Sequence, residues 1–396
     1  MSRRRPSRVR RAGVAVACAG VLAGGLAAPA AADTASDDGR NFDRASAKGR
    51  DHAATRAVLE AIVRDGTPGV VARVDDRNGH WNGSAGVADT DNRRPRLPVD
   101  RYRIASITKT FTATVLLQLE AEGRLSLDDP VEKWLPGVVQ GNGNDGRRIT
   151  VAQLLNHTSR IFNYNKDEGF LARFTGEAFL ENRFTGVSRD ELVAIGMSHA
   201  PVQNEWEYSD TNYALAGMVI ERVTRSTYAE QIRIRLIEPL GLWGTNLPGA
   251  SPYLPRPHGR HYSILQNWDP GAPVHDVTEF NPMVAGASGE MISTLRDVNH
   301  FFGELLAGRL LPPAQQQKMF AGHVLSDKET YGLGIRSWRL SCGVTVWGHG
   351  GMLPGSLSRT VGTADGSHVL SLNRNADWGD EALEERVVET EFCGRG

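Results

Sequence analysis

The sequence predicts an α+β protein, an antiparallel sheet flanked by helices with a mostly helical stretch inserted between the sheet-forming ends. Three observations predict it. Alternating, β-rich segments cluster near the N-terminus and again in the last third of the chain. The long middle is dominated by segments of helical period, and a last helical segment closes the chain. Strands grouped apart from helices, instead of alternating with them, indicate α+β architecture.

In chain order, Ala53 to Asp65 reads as a helix with Val58, Leu59, Ile62 and Val63 inward. Gly69–Val74 and Trp81–Val87 read as a hairpin, because Asp75-Asp76-Arg77-Asn78-Gly79 between them is strong turn chemistry. The polar segment Arg103–Thr110 opens into Phe111–Leu119, a helix whose Phe111, Val115, Leu116 and Leu119 share one buried face and which stops at Gly123. Ile149–His157 starts another helix with Thr150 as cap, and His157 at its end reads as structural. Phe162, Tyr164 and Phe170 form either a pocket wall or a satellite core. Arg189–Met197 is helical, and Tyr208 stands just before an apolar helix through Leu215, Met218, Val219, Ile220 and Val223.

Pro255–Pro282 reads as an irregular excursion whose His258, His261 and His275 lie on the surface, without the spacing or partners of metal ligands. A helix is predicted over Met291–Leu306, with Val298, Phe301, Phe302 and Leu305 inward. Tyr331–Arg336, Val344–Trp347, Leu357–Gly362 and His368–Asn373 read as successive strands, with the glycine-rich Gly348–Gly355 between the second and third. Glu381–Glu391 is the closing helix.

With 396 residues the chain is expected to form one large or two interleaved domains. Residues 1–32 have the plan of a signal peptide: six arginines, an apolar run Gly13–Leu26, and Ala30-Ala31-Ala32 before Asp33. Residues 33–54 read as a flexible leader. The 45 basic residues less those six leave 39 against 46 acidic ones, so the remainder carries about −7. That balance, with no basic stripe, argues against a nucleic-acid partner. Removing residues 1–32 also removes Cys18 and any membrane anchor, which implies a secreted protein. Cys342 and Cys393 then remain as an even pair, and in an oxidising compartment they are expected to form a disulfide.

The residues that carry chemistry begin with Ser106 and Lys109. They are three positions apart at the start of a helix, so their side chains share a face. A serine hydroxyl attacks only when a base takes its proton, and lysine is such a base once burial or a neighbour lowers its pKa. Arginine does not deprotonate in proteins, and among six lysines only Lys109 follows a serine by three positions. Tyr208, held in a loop before a buried helix, is placed to relay the proton. Glycines around His349 let backbone approach a ligand closely and offer N–H donors.

Ser106-x-x-Lys109, Tyr208-Ser209-Asp210 and His349-Gly350-Gly351, in this order and rough spacing, resemble the serine β-lactamase and penicillin-binding-protein superfamily. The chain is most similar to secreted D-alanyl-D-alanine carboxypeptidases of actinomycete type and to class C-like β-lactamases. The similarity runs from about residue 55 to the C-terminus, through Gly123–Val131, Tyr331–Arg336 and Phe392-Cys393-Gly394. It implies a β-lactamase/transpeptidase-like fold over residues 55–396, with a helical subdomain at about residues 125–285 and the site between helical and sheet parts. It also implies that Ser106 is acylated, that Lys109 and Tyr208 share general acid and base work, and that His349 orients Tyr208. The N–H groups of Ser106 and Met352 would form the oxyanion hole, while Arg336 would receive a substrate carboxylate.

Four positions depart from the pattern: Asp210 for asparagine, Gly350 and Met352 for threonines, and Arg160 for glycine. An ionised Asp210 can only accept hydrogen bonds and favours a charged Lys109, and the two missing hydroxyls leave Arg336 more of the work. The implied activity is a secreted serine hydrolase working through an acyl-enzyme on peptides ending in D-alanine. An esterase or β-lactamase on the same scaffold is the first alternative, and a penicillin-binding sensor without turnover is the second. The expected partner is a small peptide or ester substrate, or a β-lactam, met by a monomer. No cofactor or metal is implied.

Overall fold

Eight antiparallel strands make the central sheet of the computed structural model, which describes residues 52–269 and 271–394. In chain order they are β1 (Gly69–Asp76), β2 (Gly79–Gly86), β3 (His323–Val324), β4 (Glu329–Tyr331), β5 (Arg336–Arg339), β6 (Thr345–Leu353), β7 (Ser356–Thr363) and β8 (Val369–Arg374). Their spatial order is β2-β1-β8-β7-β6-β5-β4-β3. The last strand of the chain thus lies beside the first, which closes the two ends of the sequence into one sheet. The segment read as a signal peptide, 1–32, and most of the segment read as a leader lie outside the described residues. Helix α1 (Ala53–Arg64) begins inside the segment assigned to the leader.

The strands alternate, so each face of the sheet has its own core. Val70, Ala72 and Val74 of β1, with Val346, Val361, Leu370 and Leu372, pack under α1 and the C-terminal helix α5 (Glu381–Cys393). On the other face Val71 and Val369 join a larger core with α2 (Thr108–Ala121) and α4 (Leu295–Leu306). There Phe111 stacks on Phe301 with ring centroids 3.6 Å apart. Between α2 and α4 the regular structure is mostly helical, with α3 (Asp210–Thr224) at its centre and only short two-residue strands among the helices. The α+β expectation holds, and Cys342 and Cys393 are bridged across the tip of β5–β6 to the end of α5.

Several local expectations need correction. Helix α2 is buried on nearly every side, not on one face, because its threonines find partners: Thr110 Oγ1 donates to Gly334 C=O (2.6 Å) and Thr112 Oγ1 to Ala287 C=O (2.9 Å). Helix α4 starts at Leu295, not Met291; Ile292–Ser293 pair instead with Tyr102–Arg103, and Thr294 caps the helix. Tyr331–Arg336 is not one strand. The chain leaves the sheet at Gly332, turns through Gly334 at φ +69°, and returns as β5. A Cβ on Gly334 would lie 2.6 Å from Ala113 Cβ and 2.9 Å from Lys109 C=O, so this excursion presses on the helix that follows Ser106.

Gly348–Leu353 is strand rather than loop, and only Pro354-Gly355 turn. His261 is buried at 1% exposure, not on the surface, while His258 and His275 are half-buried.

Candidate active site

Ser106 lies in a 3-10 turn, Ala105–Ile107, that runs directly into α2. Ala105 before it has φ +50°, a left-handed conformation that costs a non-glycine residue roughly 1 kcal/mol or more. Such a turn lifts the following serine out of the helix face. Strand β6 holds it down: a Cβ on Gly351 would come within 2.2 Å of Ile104 C=O and 3.0 Å of Ser106 N. Glycine is therefore required where β6 crosses the turn.

Beyond Gly348 the edge of β6 has no strand beside it, because pairing with β5 ends at Arg336↔Gly348. Hydrogen-bonded and non-bonded pairs alternate along an antiparallel ladder. Counted from Leu353↔Ser356, which closes the two-residue turn, Met352 is at a non-bonded position and its N–H faces away from β7. Ser106 N and Met352 N–H thus lie at the same free edge, and the Met352 side chain is 64% exposed.

Lys109 Nζ is buried beneath Ser106, 3.0 Å from its Oγ, 2.6 Å from Asp210 Oδ1 and 2.9 Å from Ser288 C=O. Two of these three directions end on atoms that only accept, so two N–H bonds are committed. The third direction points at Ser106 Oγ. It carries an N–H when Lys109 is charged and a lone pair when it is neutral, which is the geometry of a base. Burial lowers the Lys109 pKa, and the charge and hydrogen bond of Asp210 oppose that. The second Asp210 oxygen accepts from Asn165 Nδ2 at 2.5 Å, and Asp210 N–H donates to Asn163 Oδ1 at 3.2 Å.

Tyr208 stands two residues before α3. Its ring centroid is 4.7 Å from Lys109 Nζ, and its phenol faces Ser106. Burial first and Asp210 second raise its pKa well above the ordinary phenol value, so it is neutral at rest. His349 on β6 lies 6.4 Å from Tyr208, centroid to centroid, and burial followed by the Lys109 charge pushes its imidazole down to about 3. Gly350 C=O accepts from the His349 ring.

Arg336 starts β5, paired directly with Gly348, and its guanidinium is ion-paired with Glu329. It is not among the residues lining the cavity beside Ser106, nor are Gly350 and Gly351. That cavity holds ≈ 510 Å³ and runs from Ser106, Asp210 and Met352 along Tyr164, Phe170, Phe174, Phe179, Phe280 and Trp268. Of the three aromatics singled out from the sequence, Tyr164 and Phe170 line it, whereas Phe162 stacks on His199. Asn165, Ser288 and Tyr331 were missed. Each meets the site through contacts more than forty residues away in sequence, which no local spacing announces. His157 was read as structural, and it does accept from Ser209 N–H and contact Tyr331, yet its ring also packs 4.3 Å from Tyr208.

The sequence that builds this serine on a strained turn over a buried lysine matches the profile of the Beta-lactamase family over residues 48–386. The chain belongs to the beta-lactamase family. Among solved structures, this beta-lactamase-family protein is similar to the D-stereospecific amidohydrolase from Streptomyces sp., with 50% identity and a TM-score of 0.83 over 88% of this chain and 100% of that one. It is also similar to the D-amino acid amidase from Ochrobactrum anthropi SV3, at 26% identity and a TM-score of 0.74 over 87% and 100% of the two chains. Protein flp of Staphylococcus aureus strain N315 is 30% identical over 56% of this chain, and the chain spans only 41% of that relative's length.

Proposed function

We propose that the protein is a serine amidohydrolase that cleaves amides or esters of D-amino acids bearing a bulky apolar side chain, through an acyl-enzyme on Ser106. The observation that carries this reading is the aromatic cavity opening directly beside Ser106. The similarity to a D-stereospecific amidohydrolase over nearly the whole described chain supports the choice of D-configuration and of the amide.

In this reading neutral Lys109 takes the Ser106 proton as Oγ attacks the acyl carbon, and the carbonyl oxygen gathers charge against the N–H groups of Ser106 and Met352. Tyr208, protonated at rest, passes a proton to the leaving amine and is restored from Lys109. Water then attacks the ester carbonyl by the same relay in reverse. The sequence pointed to D-alanyl-D-alanine peptides, whose terminal carboxylate needs a cation. Here Arg336 is occupied by Glu329, and Gly350 and Met352 offer no hydroxyl, so a substrate without that carboxylate suits the site better. Export is part of the proposal, supported by the signal-peptide plan of residues 1–32 and the Cys342–Cys393 bridge.

The test is kcat/KM for D-phenylalanine amide, L-phenylalanine amide and a peptide ending in D-Ala-D-Ala, with Ser106→Ala as the control. Preference for D-phenylalanine amide, abolished in Ser106→Ala, is expected. Preference for the peptide would overturn the amidase assignment, and turnover surviving in Ser106→Ala would overturn the nucleophile.

A further inference from the structure

Tyr331 ends β4 with its side chain buried, 1% exposed, between two histidines from different parts of the fold. Its hydroxyl is 2.9 Å from His349 Nε2 and 3.1 Å from His157 Nε2. The outer nitrogen of each ring meets a group whose role is chemically fixed. His157 Nδ1 faces the backbone N–H of Ser209 at 3.2 Å, which can only donate, so Nδ1 is bare and the ring proton sits on Nε2. Asn212 Nδ2 donates to the same nitrogen at 3.3 Å, its orientation set by Ser159 Oγ, which donates to Asn212 Oδ1 at 2.6 Å.

His349 Nδ1 faces Gly350 C=O, which can only accept, so there the proton sits on Nδ1 and Nε2 is bare. Tyr331 Oη must then accept from His157 Nε2–H and donate to His349 Nε2. Tyr213 is not a rival donor to the Tyr331 oxygen, because its single hydroxyl proton goes to Leu155 C=O at 2.9 Å. One proton order satisfies the whole chain of groups. Charging either imidazole would set two donors against each other in a buried place.

We propose that Tyr331 is a positioning residue of the active site, its hydroxyl bridging His157 and His349 so that the two imidazoles keep opposite tautomers and flank Tyr208. His349 shares β6 with Met352, and His157 follows the short helix Val151–Leu155, so the bridge ties the helical side of the site to the strand that carries Met352 N–H. The charged and titratable groups facing this cluster are Lys109 from α2, Asp210 and Tyr213 from α3, Tyr208 before it, and Arg336 from β5. Burial and Lys109 push both imidazoles down, in keeping with neutral rings.

The experiment is long-range ¹H–¹⁵N correlation of the histidine rings in the full chain from about pH 5 to 8, where an ordinary imidazole titrates. His157→Gln and His349→Gln assign the two spin systems. Both rings are expected to stay neutral, His157 with its proton on Nε2 and His349 on Nδ1. In Tyr331→Phe this pattern should break down, with kcat on D-phenylalanine amide lower by about tenfold and KM within about twofold, because a positioning loss acts after binding. Equal tautomers, or a charged ring at pH 6 in the wild type, would overturn the proposal, as would Tyr331→Phe with unchanged spectra and kcat. If Tyr331→Phe does not fold, the wild-type spectra decide alone. The kinetic arm rests on the amidohydrolase reading; the tautomers do not, so an inactive substrate refutes that reading and leaves this one to the spectra.

Discussion

Lys109 Nζ and Asp210 Oδ1 are 2.6 Å apart, with the lysine wholly buried, so the amine beside Ser106 is held by a carboxylate. The pair sets a conflict. Burial favours the neutral amine that catalysis needs, and Asp210 favours the ammonium. Asp210→Asn removes the negative charge that raises the Lys109 pKa. The acid limb of kcat/KM for D-phenylalanine amide is therefore expected to move to lower pH. A pH profile of the variant checks this, and a limb that stays put or moves upward refutes the role given to Asp210.

The cavity makes a separate prediction. Phe174 lines it from the helix Glu168–Phe174 and is 9% exposed. Phe174→Ala is expected to narrow the preference for D-phenylalanine amide over D-alanine amide by about tenfold, the usual scale for removing part of an apolar wall. Steady-state kinetics on the two amides measure it, and an unchanged ratio would place the acyl side chain elsewhere.

Far from the site, Glu391 on α5 gathers His52 and Thr55 of the N-terminal segment and His368 beside β8, at 2.9, 2.7 and 3.0 Å. Burial raises its pKa, but these hydrogen bonds prevail and bring it to about 2, from 4.5. A depressed carboxylate contributes stability above its unfolded pKa and loses it as pH falls through the folded one. Glu391→Gln should thus lower unfolding free energy by about 3 kcal/mol near neutrality, with the gap closing between pH 4.5 and about 2. Denaturant titrations at several pH values test the sign, which fails if the difference widens on acidification.

The Cys342–Cys393 bridge closes a span of 51 residues and ties the end of α5 to the β5–β6 turn. Replacing both cysteines by serine is expected to cost about 2–5 kcal/mol in a denaturant melt while leaving acylation of Ser106 intact, because neither cysteine lines the cavity. Loss of acylation in a folded variant would show that the bridge shapes the site.

Most elements were legible because they rest on local chemistry: the turn Asp75–Gly79, the cap at Thr150, the periods of Phe111–Leu119 and Val298–Leu305. Misreadings fell where distant backbone overrides a local pattern. Met291–Leu306 has helical period from its start, but Ile292–Ser293 are drawn into pairing with Tyr102–Arg103. Tyr331–Arg336 looks like one strand, yet Gly334 must leave the sheet to meet Lys109 and Ala113. His261 looked exposed in a polar stretch and is buried, because the excursion folds back onto β8 through Tyr262 and Asn375.

The sequence by itself determined that Ser106 and Lys109 meet, since three-residue spacing on a helix places two side chains on one face whatever surrounds them. It also determined the α+β plan and the pairing of the only two cysteines beyond residue 32. Only the tertiary structure decided that Arg336 is spent on Glu329, that aromatic rings from three separate segments wall the cavity, and that Tyr331 joins two histidines. Those relations depend on where long-range packing brings side chains that have no neighbourhood in sequence, and a hydrogen bond of 3 Å leaves no trace in spacing.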